Sequence, residues 1–321
     1  MHKPYTSIGQ QVELMQARGI ATSPRTKWIL EREGYYSVVN GYKDLFLDNS
    51  GVADQYRANT AFDDIYRLFV FDRELRFHLF QMLTLAEAEL KTICSHEFSG
   101  RYRGITNPFL MLSCYAQTVD GTRNGSADRL ILIFRKILEL DSPARSGSDH
   151  RFGRERYGGK SYLRHCMEDH DGEVPMWVLA NDLTLGQIYW FYQEQNHEVR
   201  KSVARSFTSL YANTHRRQVD VTSERLDKIY RRFKDFRNIC AHDERLYCAH
   251  PHDRNASVWQ VIQDLRFVID KRRYLEFLRL IERLTKGIVS QLPNCGEGIV
   301  RSMGMSDVGD FATYAFRISL S

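Results

Sequence analysis

Apolar residues recur with helical spacing along most of the chain. The longest run, from Phe62 to Phe98, is apolar on nearly every side, which predicts a central, buried helix. Residues 129–140, 175–193 and 257–292 carry further helical patterns, the last of them long enough for one or two amphipathic helices. There is no internal repeat and no convincing series of alternating strands. The pattern therefore predicts an all-α fold, a helical bundle.

The first 50 residues predict a small helical module. Ser7 is placed to cap a helix that ends near Arg18-Gly19, and Ser23-Pro24 predicts the start of a second helix that stops at Gly34. Two short helices with a tight turn resemble a helix-turn-helix. Two interpretations stay open: the module binds nucleic acid, or it packs on the main body.

Turn-forming residues mark the other boundaries. We expect a main bundle over 51–293 and a tail over 294–321, which is Gly-rich and is expected to add a short strand. Residues 141–160 are rich in Gly, Ser and Arg and predict a long polar insertion loop. This loop is either a basic arm that touches RNA or an inert insertion.

Composition narrows the class of protein. The 321 residues carry a formal net charge of +5, which permits a polyanionic partner without demanding one. Neither an apolar membrane span nor the apolar core of a signal peptide is recognisable, so a cytoplasmic location without membrane partners is expected. The six cysteines are scattered and form no CxxC pair, which favours free, mostly buried thiols over a disulfide framework.

The sequence RNICAHDERLY, residues 237–247, carries the candidate chemistry. A helix over 222–248 would turn an apolar face to the core, formed by Leu226, Ile229, Tyr230, Phe233, Phe236 and Cys240. Another face would present Asp235, Asn238, His242 and Arg245, with Arg237 long enough to reach round to it. Several basic residues directly precede this motif in the sequence. They could contact phosphate groups, or they could form ion pairs along the helix surface.

Histidine and arginine together suit phosphodiester transfer in RNA. Histidine moves protons near neutral pH, and arginine binds phosphate oxygens through a planar, permanently charged fork. The 2′-OH of RNA is a built-in nucleophile, so no metal or cofactor is required. One histidine cannot comfortably serve as both base and acid on opposite sides of a phosphate. A two-fold homodimer would supply the second one.

Charges inside the long apolar helix are also informative. Asp72 and Arg76 are four residues apart and can pair, whereas Glu87 lies in an apolar run, where an unpaired carboxylate is costly. These residues are either buried structural ion pairs or groups that line a polar cleft and meet an arginine from another helix.

The motif Arg237-Asn238-Ile239-Cys240-Ala241-His242 matches the R-x4-H pattern of the HEPN superfamily (higher eukaryote and prokaryote nucleotide-binding). More closely, the chain resembles the Abi-like family of bacterial abortive-infection proteins. The resemblance rests on an ordered set of segments: KPYTS, QQVELMQARGI, GYYSVVNGY, FDDIYRLFVFDRELR, VPMWVLANDLTLG and RNICAHDERLY. Two positions depart from the family pattern, Cys248 in place of asparagine and Ala180 in place of an acid.

This resemblance implies a HEPN-type helical fold, phage defence and metal-independent RNA cleavage in a dimer. It implies that Arg237 and His242 are catalytic and that Asn238 is the polar neighbour of the arginine. Arg245 matches the trailing arginine of the family. Asp72, Arg73 and Arg76 would line the same cleft, and Glu87 is a further candidate for a supporting role. A small RNA or a protein antitoxin is a further partner that the resemblance suggests.

Three alternatives stay open. Cys240, His242, Cys248, His250 and His252 lie close together in sequence and could hold zinc, although the spacing is unusual for a zinc finger. The chain could also bind RNA or a protein partner without catalysis, as a sensor or in a toxin–antitoxin complex. Finally, the motif could be structural, with Arg237 paired to Asp235 or Glu244 and His242 satisfied at a helix end.

Overall fold

The structure is a computed structural model that describes residues 5–48, 55–117, 124–141, 161–216, 218–251 and 256–320. These residues are all-α, as predicted, and extended pairing within them is limited to the isolated bridges Ala21–Ala61 and Leu47–Tyr56. A HEPN-type bundle is consistent with this architecture and stays a prediction. Apart from Asp141, the predicted insertion loop lies outside the described residues.

Local capping explains the two N-terminal helices, both of which were predicted. Helix α1 (Ile8–Ala17) begins at a capping box in which the Gln10 amide nitrogen donates to the Ser7 hydroxyl and the Ser7 amide donates to the Gln10 side chain. Helix α2 (Pro24–Glu33) has proline at its first position and ends at Gly34, whose φ of +78° favours glycine.

The predicted long helix is confirmed as α3, which runs from Phe62 to Arg101. The remaining helices follow in chain order: α4 (Gly125–Ile137), α5 (Tyr162–Asp169), α6 (Met176–Leu179), α7 (Leu185–Gln193), α8 (His197–Thr214), α9 (Ser223–Ala241), α10 (Val258–Leu265), α11 (Lys271–Gln291), α12 (Gly296–Ser302) and α13 (Gly309–Leu320). No helix among the described residues combines the length and apolar character needed to cross a membrane.

Two expectations about these helices were wrong. The segment 175–193 is not one helix, because the Thr184 hydroxyl accepts from the Gln187 amide and starts α7 anew after a 3-10 turn at Ala180–Asp182. The described part of the tail, residues 294–320, contributes no strand. It forms α12 and α13, which bury Ile299, Val300 and Phe311 completely.

The chain divides into two compact units. Unit 1 contains Met1–Gln81, Phe236–Gln263 and Arg272–Ser321, and its core includes Phe62, Ile65, Tyr274 and Leu278, all fully buried. Unit 2 contains Met82–Asp235 and Asp264–Lys271. Its core holds an aromatic cluster in which the Phe191 ring lies 5.0 Å from that of Phe98 and 6.0 Å from that of Phe134. The predicted boundaries near residues 50 and 294 stay a prediction.

The first residue of α12, Gly296, approaches α11 so closely that only glycine fits. A Cβ atom there would lie 2.6 Å from the Cα and 3.2 Å from the carbonyl oxygen of Val289. We expect Gly296→Ala to lower the free energy of unfolding by about 1–3 kcal/mol, because backbone must move to relieve the contact. The measurement is urea unfolding followed by circular dichroism.

Gly287→Ala is the matched control, because a Cβ at position 287 of α11 meets nothing within 4 Å. That change should leave stability unaltered or raise it by about 0.5–1 kcal/mol through better helix propensity. Equal stability of the two variants would contradict the close contact at Gly296.

Candidate functional site

The R-x4-H motif spans the last residues of α9. The predicted core face of this helix is confirmed at Leu226, Ile229, Tyr230, Phe233 and Phe236, which are all completely buried. Cys240 continues this face but is only partly buried. Residues 236–241 of α9 belong to unit 1, together with the first part of α3, so the candidate site is built within that unit.

The helix ends earlier than the sequence predicted. The His242 amide still donates to the Asn238 carbonyl at 3.0 Å, but Asp243 adopts a left-handed φ of +56° and the Glu244 amide reaches back to the Ile239 carbonyl at 3.1 Å. Such a closure satisfies the last carbonyls and stops a helix. Asn238 and His242 therefore share one turn, whereas Arg245 lies beyond the helix and the predicted stripe that included it was wrong.

One buried carboxylate holds the segment after the helix. Asp72 of α3 is completely buried and accepts hydrogen bonds from the Leu246 amide at 3.0 Å and the Tyr247 amide at 2.7 Å. The Tyr42 hydroxyl donates to its Oδ2 at 2.7 Å. Burial raises the pKa of the Asp72 carboxyl, and the hydrogen bonds from these three residues act against that rise.

Arg76 completes this cluster, and its predicted pairing with Asp72 is confirmed at 2.6 Å. Its guanidinium also donates to the Glu244 carbonyl at 3.1 Å and to Asp243 Oδ1 at 2.5 Å. The Arg76 side chain is almost entirely buried. Asp72 and Arg76 thus fix the course of the chain directly after His242, and neither presents its side chain at the surface.

The other predicted supporting residues also form ion pairs. Arg73 forms a two-pronged ion pair with Glu33 of α2, at 3.1 and 2.6 Å, and its guanidinium lies 4.5 Å from the centre of the Phe69 ring. Arg245 donates to Asp44 at 2.7 Å. Glu87 lies in unit 2 and pairs with Lys91 of its own helix at 2.9 Å, which favours the structural ion pair over the alternative of an arginine from another helix.

The side chains of Arg237, Asn238 and His242 differ from all of these. None of the three makes a hydrogen bond or ion pair with another described residue. Asn238 and His242 are exposed, and the guanidinium of Arg237 lies 5.9 Å from the centre of the Phe80 ring. Its Nε is buried without an acceptor. The proposed structural pairing of Arg237 with Asp235 or Glu244 is therefore absent from the described part of the chain.

Three of the basic residues that precede the motif have carboxylate partners. Within unit 2, Arg231 pairs with Asp227 at 3.3 Å and Arg232 pairs with Asp264 at 2.6 Å. Lys234 lies 3.4 Å from Asp235. For these three residues the structure favours the interpretation of an ion-paired helix surface over that of free phosphate contacts.

The described residues do not assemble a donor set for the zinc alternative. Within the described ranges, no group of three or more His, Cys, Asp or Glu side chains is placed to hold a metal ion. Burial raises the pKa of the Cys240 thiol to about 12, which disfavours the thiolate that zinc binds. His252, a member of the suggested set, lies outside the described residues.

Sequence reasoning missed Tyr42 as a member of the site. Its hydroxyl is fixed between Asp72 and Arg76, and its ring stacks 6.2 Å from that of Tyr247. The available signal was the segment GYYSVVNGY, whose last residue is Tyr42. Phe80 was also missed, because an apolar residue in an apolar helix carries no mark of its contact with Arg237.

Comparison with known proteins gave one finding. The model of the family described as Abi-like protein matches residues 28–248, well over half of the chain. The matched range includes Tyr42, Asp72, Arg76 and the whole R-x4-H motif, and it ends directly after the segment that Asp72 holds. Neither the curated proteins nor the solved structures contained a match to this chain.

We expect two substitutions in the Asp72 cluster to lower the free energy of unfolding by different amounts. Asp72→Ala leaves Arg76 buried without its main counter-charge and two backbone amides without acceptors, so we expect a loss of about 3–5 kcal/mol in the free energy of unfolding. Tyr42→Phe removes two hydrogen bonds, one donated to Asp72 and one accepted from Arg76, but leaves the Asp72–Arg76 ion pair in place, so it should cost less, about 1.5–3 kcal/mol. Urea unfolding measures both, and a Tyr42→Phe variant less stable than Asp72→Ala would contradict the central role of the carboxylate.

Proposed function

This chain belongs to the Abi-like protein family, and from that premise we propose that it is a metal-independent endoribonuclease of the HEPN type, acting in abortive infection. The family points to abortive infection, a defence of bacteria against phage. The proposed reaction is cleavage of RNA at a site formed by Arg237 and His242, with Asn238 beside them. Its proposed setting is a homodimer in the cytoplasm.

The observation that carries the proposal is the difference in pairing among the arginines. Arg73, Arg76 and Arg245 each have a carboxylate partner, whereas Arg237 has none among the described residues. A guanidinium without a counter-charge, next to an exposed histidine and an exposed amide, suits a phosphate group of a ligand. RNA supplies both that phosphate and the 2′-OH nucleophile.

The chemistry balances without a cofactor. His242 accepts the proton of the 2′-OH as its oxygen attacks the adjacent phosphorus, and Arg237 stabilises the extra negative charge of the phosphorane. The bond from phosphorus to the 5′-oxygen then breaks, and that oxygen takes a proton from an acid. The products are a 2′,3′-cyclic phosphate and a free 5′-OH. Each positioned proton transfer contributes about 10²–10⁴ in rate, and a charge-stabilising contact a similar factor.

A second copy of the chain supplies the acid in this proposal. A two-fold axis beside His242 would place the same face of a partner chain across the phosphate, so that one histidine acts as base and the other as acid. Asp72 accepts hydrogen bonds from the backbone of residues 246–247 and Arg76 donates to that of Glu244, which limits the motion of His242 and supports a positioned proton transfer. An RNA or protein antitoxin could silence such a site.

The first test compares wild-type protein with His242→Ala on labelled RNA in excess EDTA. Loss of the proton-transfer group should reduce cleavage by at least about 10²-fold, and the wild-type products should carry cyclic phosphates. His96→Ala is the matched control, because the His96 side chain is 84% exposed and lies in unit 2. Equal cleavage by wild type and His242→Ala would refute the catalytic assignment. RNA binding without cleavage by wild type would favour a non-catalytic RNA-binding HEPN protein.

A second test separates binding from catalysis at Arg237. We expect Arg237→Ala to lose cleavage and also to weaken RNA binding, because it removes both a charge-stabilising contact and a phosphate ligand. Arg272→Ala is the control, since the Arg272 side chain is 88% exposed and, within the described ranges, pairs with Glu276 of its own helix alone. The readouts are the cleavage rate and the Kd for RNA measured on a His242→Ala background. Identical effects of the two arginine variants would argue against a specific phosphate contact at Arg237.

A further inference from the structure

A groove of about 690 Å³ opens beside the motif within unit 1. One wall is the helical turn Tyr36–Asn40, and the other is the irregular chain from Asp243 to Pro251. Asp243 follows His242 directly, so the groove begins where the proposed catalytic residues end. Its volume is in the range of sites that hold small ligands.

The first wall offers an aromatic ring and free polar groups. Tyr36 is 73% exposed, and the side chains of Ser37 and Asn40 make no hydrogen bond with another described residue. The turn is π-helical, with the Gly41 amide donating to the Tyr36 carbonyl. Turns of this type are rare and occur often at functional sites. Tyr42 lies at the base of the groove, where Asp72 fixes its hydroxyl.

The second wall offers a guanidinium and an imidazole beside two carboxylates, Asp243, which is paired with Arg76, and the exposed Glu244. Among the described residues Arg245 pairs only with Asp44, and the two side chains are 42% and 58% exposed. An exposed pair of this kind contributes little stability and exchanges readily. His250 is exposed and makes no hydrogen bond or ion pair with a described residue. Both side chains can therefore turn towards a phosphate.

We propose that this groove binds one unpaired nucleotide of an RNA strand, next to the bond that is cleaved. The ring of Tyr36 stacks on the base, the amide of Asn40 pairs with the edge of the base, and Arg245 contacts the following phosphate. Stacking on an aromatic ring and pairing with an exposed edge both require a base outside a duplex, so the groove selects single-stranded RNA. This inference rests on the proposed function, because the neighbouring His242 gives the groove its substrate.

The test measures binding of a labelled single-stranded RNA decamer by fluorescence anisotropy, with His242→Ala as the parent so that the RNA stays intact. Tyr36→Ala should weaken binding about 10-fold or more, whereas Tyr36→Phe keeps the ring and should bind like the parent. Tyr162→Ala is the matched control, because Tyr162 is 79% exposed and lies in unit 2. With His242 intact, Tyr36→Ala and Asn40→Ala should also change which positions of a mixed-sequence RNA are cleaved.

Equal binding by Tyr36→Ala and the parent would overturn the subsite, and so would failure of the parent to bind the decamer. A duplex of the same sequence that binds as tightly as the single strand would overturn the selection for unpaired bases. The proposed function fails separately: Tyr36-dependent binding by a wild-type protein that cleaves no RNA would leave the subsite standing and remove the ribonuclease. If the protein cleaves RNA and neither Tyr36→Ala nor Asn40→Ala alters the cleavage, the ribonuclease would stand and the subsite would be refuted.

Discussion

The carboxylate of Asp72 accepts hydrogen bonds from Tyr42, Arg76 and the backbone of Leu246 and Tyr247, so one side chain of α3 joins three separate stretches of unit 1. A buried carboxylate is tolerated only when such donors compensate for the lost water. The same hydrogen bonds hold the backbone of residues 244–247 in one conformation. The motif at the end of α9 is therefore followed by a fixed segment and not by a free loop.

Pairing separates Arg237 from the three other arginines that the motif and its support contain. Arg76 is buried and structural, and Arg73 and Arg245 are tied to carboxylates of the N-terminal segment. The guanidinium of Arg237 lies 5.9 Å from the centre of the Phe80 ring and has no hydrogen-bond or ion-pair partner among the described residues. A ring face stabilises a guanidinium without using its N–H donors, so this contact orients the group and leaves it available to phosphate.

The N-terminal segment belongs to the same unit as the motif. Glu33 of α2 binds Arg73, Tyr42 binds Asp72 and Asp44 binds Arg245. Packing, one of the two interpretations open for these residues, is therefore observed. The π-helical turn that follows α2 also forms a wall of the groove beside the motif, so the segment contributes surface next to the candidate site as well as support for it.

The sequence by itself determined the all-α class, the caps at Ser7 and Gly34, the core face of α9 and the Asp72–Arg76 pair, because each depends on residues close together along the chain. The R-x4-H motif could also be recognised from the sequence, because its residues lie within one and a half helical turns. Only the tertiary structure decided where α9 ends, because that depends on Asp243 reaching Arg76 and on amides reaching Asp72, contacts more than 160 positions apart. It alone separated the paired arginines from Arg237, since ion pairing depends on distances in space that spacing along the chain does not encode.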